Sequence, residues 1–390
     1  MSQVISRREL IELGLAGVAA ATATSVSASP ARASDGAVGF AVVGLGKLSL
    51  GQILPAFRTC RNARLAALIS GHRDKALRLA AEHNLSESAV YSYEEFDRIA
   101  RDPAIEAVYI VLPNFMHAEY SLRAFKAGKH VLCEKPMATS VPDAEKMIAA
   151  ARAAERKLMI AYRCHYEPHN LEAMRRVRSG RYGRPRLVVT DMVRQSDPSD
   201  PSDAWRLDMA KSGGGALADM GIYGINGARY LVGEEPVEVR AWANTDRSDP
   251  RFRTVEDLVA WQFRFPSGAI ANGSTSFATG GAMKWDMFCA NARLRGDPGC
   301  YYSGNRLEIF SHPDQGEVKL PDIDQFAREM DWMADVVRGR APLVSPGEEG
   351  LQDMRLIKAI LDSVARGGTA VRTDWGYKRA YDPAAVVPVV

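Results

Sequence analysis

The chain has almost no net charge. Its 50 Lys and Arg stand against 47 Asp and Glu, a formal balance of +3 over 390 residues, and no long basic run occurs. A polyanion-binding surface needs clustered cations, so nucleic acid is excluded as the expected partner. Cysteine is scarce and odd in number: Cys60, Cys133, Cys164, Cys289 and Cys300, without CxxC spacing. No disulfide framework is expected, and the thiols are read as free and buried. There is no HExxH arrangement. His165 and His169 stand four apart, but Pro168 lies between them, so no metal site is expected and the two read as polar contacts in a cleft. Internal repeats and low-complexity linkers are also missing. Apart from one alanine-rich run, no segment is long and apolar enough to span a membrane.

That run covers residues 10–28 and follows SRREL at 6–10. Arg7 and Arg8 precede it, and Ala31-Arg32-Ala33 fits a small-x-small cleavage site, so residues 1–33 read as a signal peptide outside the fold. The paired arginines resemble the twin-arginine motif, whose route carries already folded proteins. A periplasmic protein that folds first in the reducing cytoplasm is consistent with unpaired thiols.

With 46% hydrophobic and 25% charged residues, the remainder has ordinary globular composition, and its length suits two domains. Over 34–160, apolar strands alternate with amphipathic helices: strands at 39–46, 64–71, 106–113, 130–136 and 157–162 predict a parallel, doubly wound α/β sheet. From 161 to 390 the pattern changes to alternating, aromatic-rich strands joined by short turns, such as Pro266-Ser267-Gly268. Helices are expected near 168–179, 219–232, 322–338 and 347–367. The expected second domain is α+β with a large, open, mostly antiparallel sheet.

Gly44-Leu45-Gly46-Lys47-Leu48-Ser49 follows the first strand and fits a dinucleotide turn. Gly44 permits the bend, and Gly46 lets a pyrophosphate approach the backbone at a helix start. The second strand ends at Ser70-Gly71, where NAD enzymes usually carry an acid that binds the ribose 2′-hydroxyl. A hydroxyl, with Arg73 and Lys75 one turn on, suits a 2′-phosphate instead, and the expected cofactor is NADP. Lys135 ends the fourth strand, at the edge where ligands of such sheets bind. Asp219 and Tyr223 share one helix face, and Gly213-Gly214-Gly215 before them reads as a flexible loop able to close over a small ligand.

Together these motifs resemble the Gfo/Idh/MocA oxidoreductase family, from about residue 39 to 377. AGKHVLCEKPMA (127–138) and GGGALADMGIYGIN (213–226) carry the resemblance most specifically. LMIAYRCHYEP, YLVGEEPVEVRA, SPGEEG and TDWGY are similar to its exported glucose–fructose branch, or a related aldose–aldose one. The resemblance implies that Gly44, Leu45, Gly46, Lys47 and Leu48 cradle the pyrophosphate, and that Ser70, Gly71 and Lys75 take the 2′-phosphate. It implies that Pro113, Asn114, His117 and Glu134 line the nicotinamide ribose. Lys135, Tyr223 and Asp219 match the catalytic positions, with Tyr223 where many members have histidine. Arg163, His165, Trp205 and Arg206 match positions around the sugar and the outer face of the cofactor.

The implied activity is ping-pong: an aldose such as glucose is oxidised to its lactone, and a second sugar, fructose or an aldose, is reduced to an alditol on a non-dissociating NADP. Two alternatives stay open: an ordinary NADP-dependent aldose 1-dehydrogenase exchanging free cofactor, and a non-catalytic sugar or nucleotide sensor. The branch's proline-rich N-terminal arm has no counterpart between Ser34 and Val38. Homo-oligomers are therefore expected as sheet-to-sheet dimers, with a tetramer possible, and arm-mediated cofactor retention is not.

Overall fold

The computed structural model describes residues 36–390, so the signal peptide assigned to 1–33 lies outside the described residues. β1 (Val38–Val43), β2 (Ala63–Ile69), β3 (Val90–Tyr91), β4 (Ala107–Ile110), β5 (His130–Glu134) and β6 (Leu158–Ala161) form one parallel sheet. Their order is β3-β2-β1-β4-β5-β6. β1 reads VGFAVV with every residue buried, as a strand covered on both faces must. β3 is only two residues long, too short for any periodicity, and the sequence reading missed it.

The first crossover helix, α1, contains Pro55. It begins as a π turn over Ser49–Ile53 and continues as Leu54–Ala56, with the Leu54 N–H reaching Ser49 O, five residues back. The wider turn accommodates a proline that has no N–H to offer the ladder. α2 (Arg73–Glu82), α3 (Asn114–Lys126) and α4 (Val141–Ala153) complete this layer. Ser140 caps α4, its Oγ accepting from Asp143 N at 3.3 Å.

The second sheet has nine strands: β7 (Pro185–Gln195), β8 (Glu238–Asn244), β9 (Leu258–Arg264), β10 (Ile270–Ser276), β11 (Ala278–Cys289), β12 (Arg293–Gly296), β13 (Leu307–Phe310), β14 (Gly316–Val318) and β15 (Val371–Arg372). Their order is β14-β13-β12-β11-β7-β10-β9-β8-β15, and every pairing is antiparallel except β7 with β10. β9 alternates strictly: Val259, Trp261 and Phe263 point inward, Ala260, Gln262 and Arg264 outward. One face is thus covered by α5 (Pro168–Arg178), α6 and α8, while the other is open. α6 starts as a π turn over Leu217–Gly221 and continues as Ile222–Val232.

α7 (Gln325–Val337) and α8 (Gly347–Ala365) return to the first sheet. The Asp331 carboxylate accepts from the backbone N–H groups of Arg61, Asn62 and Ala63 at 2.7 to 3.0 Å. Ser345 clamps Ile160 through two hydrogen bonds of 2.8 and 2.9 Å. The last 65 or so residues therefore return to the first sheet, α7 at the amino end of β2 and Ser345 beside β6.

Candidate active site

β5 delivers Lys135, and α6 delivers Asp219 and Tyr223 to the same place. Lys135 Nζ donates to the main-chain carbonyl of Asp219 at 2.7 Å and lies 3.6 Å from its carboxylate Oδ1. The ammonium stands 4.4 Å from the centroid of the Tyr223 ring. From the opposite side, the Arg163 guanidinium stacks on that ring at 4.8 Å and on Tyr302 at 4.8 Å. Arg163 is immobilised by the carbonyls of Cys300 (2.6 Å) and Tyr301 (3.1 Å) and by Gln325 Oε1 (2.8 Å). Two cations thus face one phenol ring, an arrangement that lowers the cost of a developing phenolate. Burial pushes the Tyr223 phenol well above its ordinary value, with Arg163 pulling the other way, so its hydroxyl holds a proton in the free protein.

The Asp219 carboxylate points away from Lys135 toward two arginines. Its Oδ2 accepts from Arg206 Nε at 3.1 Å and Arg194 Nη2 at 3.3 Å. Burial alone would raise its pKa, but Arg206, Lys135 and Arg194 outweigh burial and hold the carboxyl well below the usual range. Arg194 comes from mid-sheet strand β7 and also grips Asp203 at 2.9 and 3.0 Å. Trp205 and Arg206 lie on the connection after β7, stacked on each other at 4.3 Å. That connection also reaches the dinucleotide turn, because Asp200 pairs with Lys47.

The dinucleotide turn has the geometry that its glycines imply. Gly44 adopts φ +92°, and a Cβ there would sit 2.3 Å from Val111 O. At Gly46 a Cβ would meet nothing within 4 Å, so its exposed backbone has open space above it. Leu45 is buried, Leu48 half-buried, and Ser49 Oγ donates back to Gly44 O at 2.5 Å. Ser70 accepts from His72 N at 3.1 Å, which leaves its own proton free, and Gly71 lies close under the Tyr93 ring, where a Cβ would come within 3.2 Å of it. The open turn and the acid-free second strand end fit a dinucleotide with a 2′-phosphate.

Lys75 Nζ donates one hydrogen bond to Leu45 O at 2.5 Å, which braces the turn and leaves the ammonium two further donors, and Arg73 nearby is exposed. Two expectations are corrected. His117 is fully buried, and both ring nitrogens lie 2.8 Å from backbone carbonyls, of Pro136 and Leu112. It staples the Lys135 loop to the Pro113 loop and has no nitrogen left for a ribose. Gly213-Gly214-Gly215 is a tight, packed turn rather than a flexible lid, since a Cβ at Gly213 would lie 2.8 Å from Thr139 Cα and one at Gly215 2.6 Å from Val255 Cβ.

Asn114 Nδ2 donates to Ser212 O at 2.7 Å, joining α3, which follows Pro113, to the second domain. Glu134 is buried and accepts from Tyr109 Oη at 2.8 Å, with burial raising its pKa. Beyond Lys135 and Tyr223 extends a cleft of about 530 Å³ of empty space, its mouth included, lined among others by Tyr162, Cys164, His165, Asn226, Tyr230 and Trp285. His165 Nε2 bonds to Asn226 Oδ1 at 2.7 Å, while His169 Nδ1 bonds to Glu167 at 2.8 Å. The two histidines serve separate partners, and among the described residues no group of three or more His, Cys, Asp or Glu is placed to hold a metal. All five cysteines are free.

Residues 38–162 match the family described as "Oxidoreductase family, NAD-binding Rossmann fold", and residues 170–299 match the GFO/IDH/MocA C-terminal domain. The chain belongs to the Gfo/Idh/MocA oxidoreductase family. Among its relatives, the D-xylose 1-dehydrogenase [NADP(+)] of Haloarcula marismortui is 33% identical over 347 residues, 88% of this chain and 95% of that one. The 1,5-anhydro-D-fructose reductase of Ensifer adhaerens is 26% identical over 318 residues, 78% of this chain and 90% of that one. The crystal structure of aldose-aldose oxidoreductase from Caulobacter crescentus, complexed with glycerol, superposes with a TM-score of 0.82 at 40% identity, covering 86% of this chain and 99% of that one. This Gfo/Idh/MocA chain is thus an NAD(P)-dependent sugar oxidoreductase.

Proposed function

We propose that this protein is an NADP-dependent sugar oxidoreductase that keeps its nucleotide through both halves of a ping-pong cycle. The observation that carries the reading is the convergence of Lys135 and Tyr223 in the lining of one cleft, with the Arg163 guanidinium against the Tyr223 ring. The aldose-aldose and D-xylose activities named for its relatives support a sugar as substrate. The acid-free end of β2, with Ser70 and Arg73, supports NADP over NAD.

Gly44 to Leu48 would hold the pyrophosphate and Ser70 with Arg73 the 2′-phosphate. When bound, NADP supplies a hydride carrier that takes hydrogen from C1 of the first sugar and returns it to the carbonyl carbon of the second. The residues manage the protons. The phenol must first lose its own proton to solvent. Tyr223 Oη, as the phenolate, then takes the proton of the C1 hydroxyl as the lactone forms, holds it as a phenol between the half-reactions, and gives it to the carbonyl oxygen of the second sugar as the alditol forms. Lys135 and Arg163, facing the ring, stabilise the phenolate that precedes the oxidation and is regenerated by the reduction. One Lys135 proton is spent on the Asp219 carbonyl, so the ammonium keeps donors to orient the reacting oxygen. One cleft serves both sugars in turn.

Residues 1–33 support export of the folded, loaded protein to the periplasm, where a retained nucleotide dispenses with a soluble pool. The test incubates purified protein with a sugar pair and no added nucleotide. Lactone and alditol should appear in equal amounts, and denaturation should release about one NADP per chain. Turnover that requires added NADP, or that yields NADPH in step with lactone, would establish an ordinary dehydrogenase instead. A Tyr223→Phe variant should lose roughly 10²–10⁴-fold in rate with nucleotide still bound; unchanged turnover would remove Tyr223 from the chemistry.

A further inference from the structure

Beside the reacting groups, His165 lines the same cleft, and what stands behind that ring fixes its chemistry. Arg229 is fully buried and bonds Glu235 through Nε and Nη2, at 2.7 and 2.9 Å, and Glu349 and Asp353 through Nη1. With its Oδ1 held by Arg229, Asp353 uses Oδ2 to accept from Asn226 Nδ2 at 2.8 Å. A carboxylate only accepts, so the Asn226 amide must turn its NH₂ toward Asp353 and its oxygen toward His165. That oxygen lies 2.7 Å from His165 Nε2 and only accepts, so Nε2 must carry the hydrogen. The remaining ring nitrogen, Nδ1, is then a bare acceptor. It is buried and has no hydrogen-bond partner among the described residues, and the same holds for Tyr230 Oη on the ring stacked against it at 3.9 Å.

We propose that Asn226 and Asp353 are positioning residues that lock His165 in its Nε2–H form, so that Nδ1 accepts a hydroxyl proton of the sugar at the inner end of the cleft. An unpaired buried acceptor costs stability until a donor reaches it, and a polyhydroxylated ligand brings one. The site thereby selects a hydroxyl donor at one position and disfavours a deoxy or etherified carbon there. Charge supports the assignment. Burial pushes His165 down to about 4, with Glu349 opposing and Arg379 and Arg229 adding to the shift, so the ring is neutral at pH 7.5. Asp353 is raised to about 6 by burial against the pull of Arg229, and so is still ionised there. The inference rests on the sugar reading above for its ligand, but not for its tautomer.

The test has two parts. Long-range ¹H–¹⁵N spectra of histidine-labelled protein at pH 7.5, with the His165 resonance assigned by its loss in His165→Gln, should show a neutral ring protonated on Nε2. A ring protonated on Nδ1, or on both nitrogens, overturns the proposal, and this measurement needs no turnover. A panel of singly deoxygenated aldoses should then show one position whose loss raises KM about tenfold or more. In Asn226→Leu, nothing holds the hydrogen on Nε2 and the ring is free to carry it on Nδ1, which should raise KM for the parent sugar and shrink the penalty for that one deoxysugar, with kcat much less affected. An Nε2–H ring with no deoxysugar penalty would retain the relay and overturn the sugar contact.

Discussion

Asp219→Asn separates two roles that one residue combines. Lys135 is held mainly by the Asp219 main-chain carbonyl at 2.7 Å, which the substitution leaves in place. The carboxylate faces Arg206 and Arg194 at 3.1 and 3.3 Å, and its side chain is 14% exposed. Both guanidinium bonds go to Oδ2, so an asparagine oxygen in its place keeps them, but the negative charge is lost and the NH₂ group takes the Oδ1 position facing the Lys135 ammonium, donor against donor. Removing one partner from a buried ion cluster costs about 3–5 kcal/mol, and the retained bonds put this case at about 3 kcal/mol. Guanidinium unfolding of the nucleotide-free protein should show that loss at pH 7. The pH dependence supplies a second check. The folded Asp219 carboxyl sits below its unfolded value of about 3.9, so its contribution is fully present above that pH and fades as pH falls further. The gap between wild type and variant should therefore be constant from pH 5 to 8 and close only in acid. Turnover on retained nucleotide should drop by less than about tenfold, far less than for Tyr223→Phe. A stability gap under about 1 kcal/mol would refute the reasoning, as a weak surface pair would give that value. So would a loss of kcat equal to that of Tyr223→Phe.

Arg229→Met leaves Glu349 and Asp353 without their shared cation, and should cost about 3–5 kcal/mol in denaturant unfolding, among the largest losses in the chain. Ser70→Asp places a carboxylate where the 2′-phosphate is to sit, and should shift the ratio of NADP to NAD dissociation constants by about tenfold or more toward NAD, measured by titration of nucleotide-free protein. Asp200→Ala frees Lys47, whose side chain is 73% exposed, so release of bound nucleotide should quicken by only about two- to fivefold while each half-reaction keeps its rate.

How far the sequence discloses this site depends on where each partner comes from. Strand–turn–helix grammar places the Gly44 turn, Lys135 and the Asp219–Tyr223 face, because each lies at the end of a strand or along one helix and is set by local periodicity. The same rule extends further than was taken: Asn226 and Tyr230 continue the stripe of Asp219 and Tyr223 along α6, three and seven residues after Tyr223. Arg194 carries no such signal. It is one of two arginines in the sequence of β7, and only the order β11-β7-β10 brings it beside Asp219. Asp200 is likewise an ordinary loop carboxylate until the fold lays its loop against Lys47. The misread residues share one cause. His117 and the three glycines each belong to a motif with a ligand-binding meaning, but each is bound or packed against its own chain: the carbonyls of Leu112 and Pro136, and the side of Thr139 and Val255. A motif states which atoms can approach a ligand, and burial decides which remain free to do so. His165 combines both. Its position in the motif points to the sugar, and the buried chain Arg229–Asp353–Asn226 behind it decides that it meets the sugar as an acceptor.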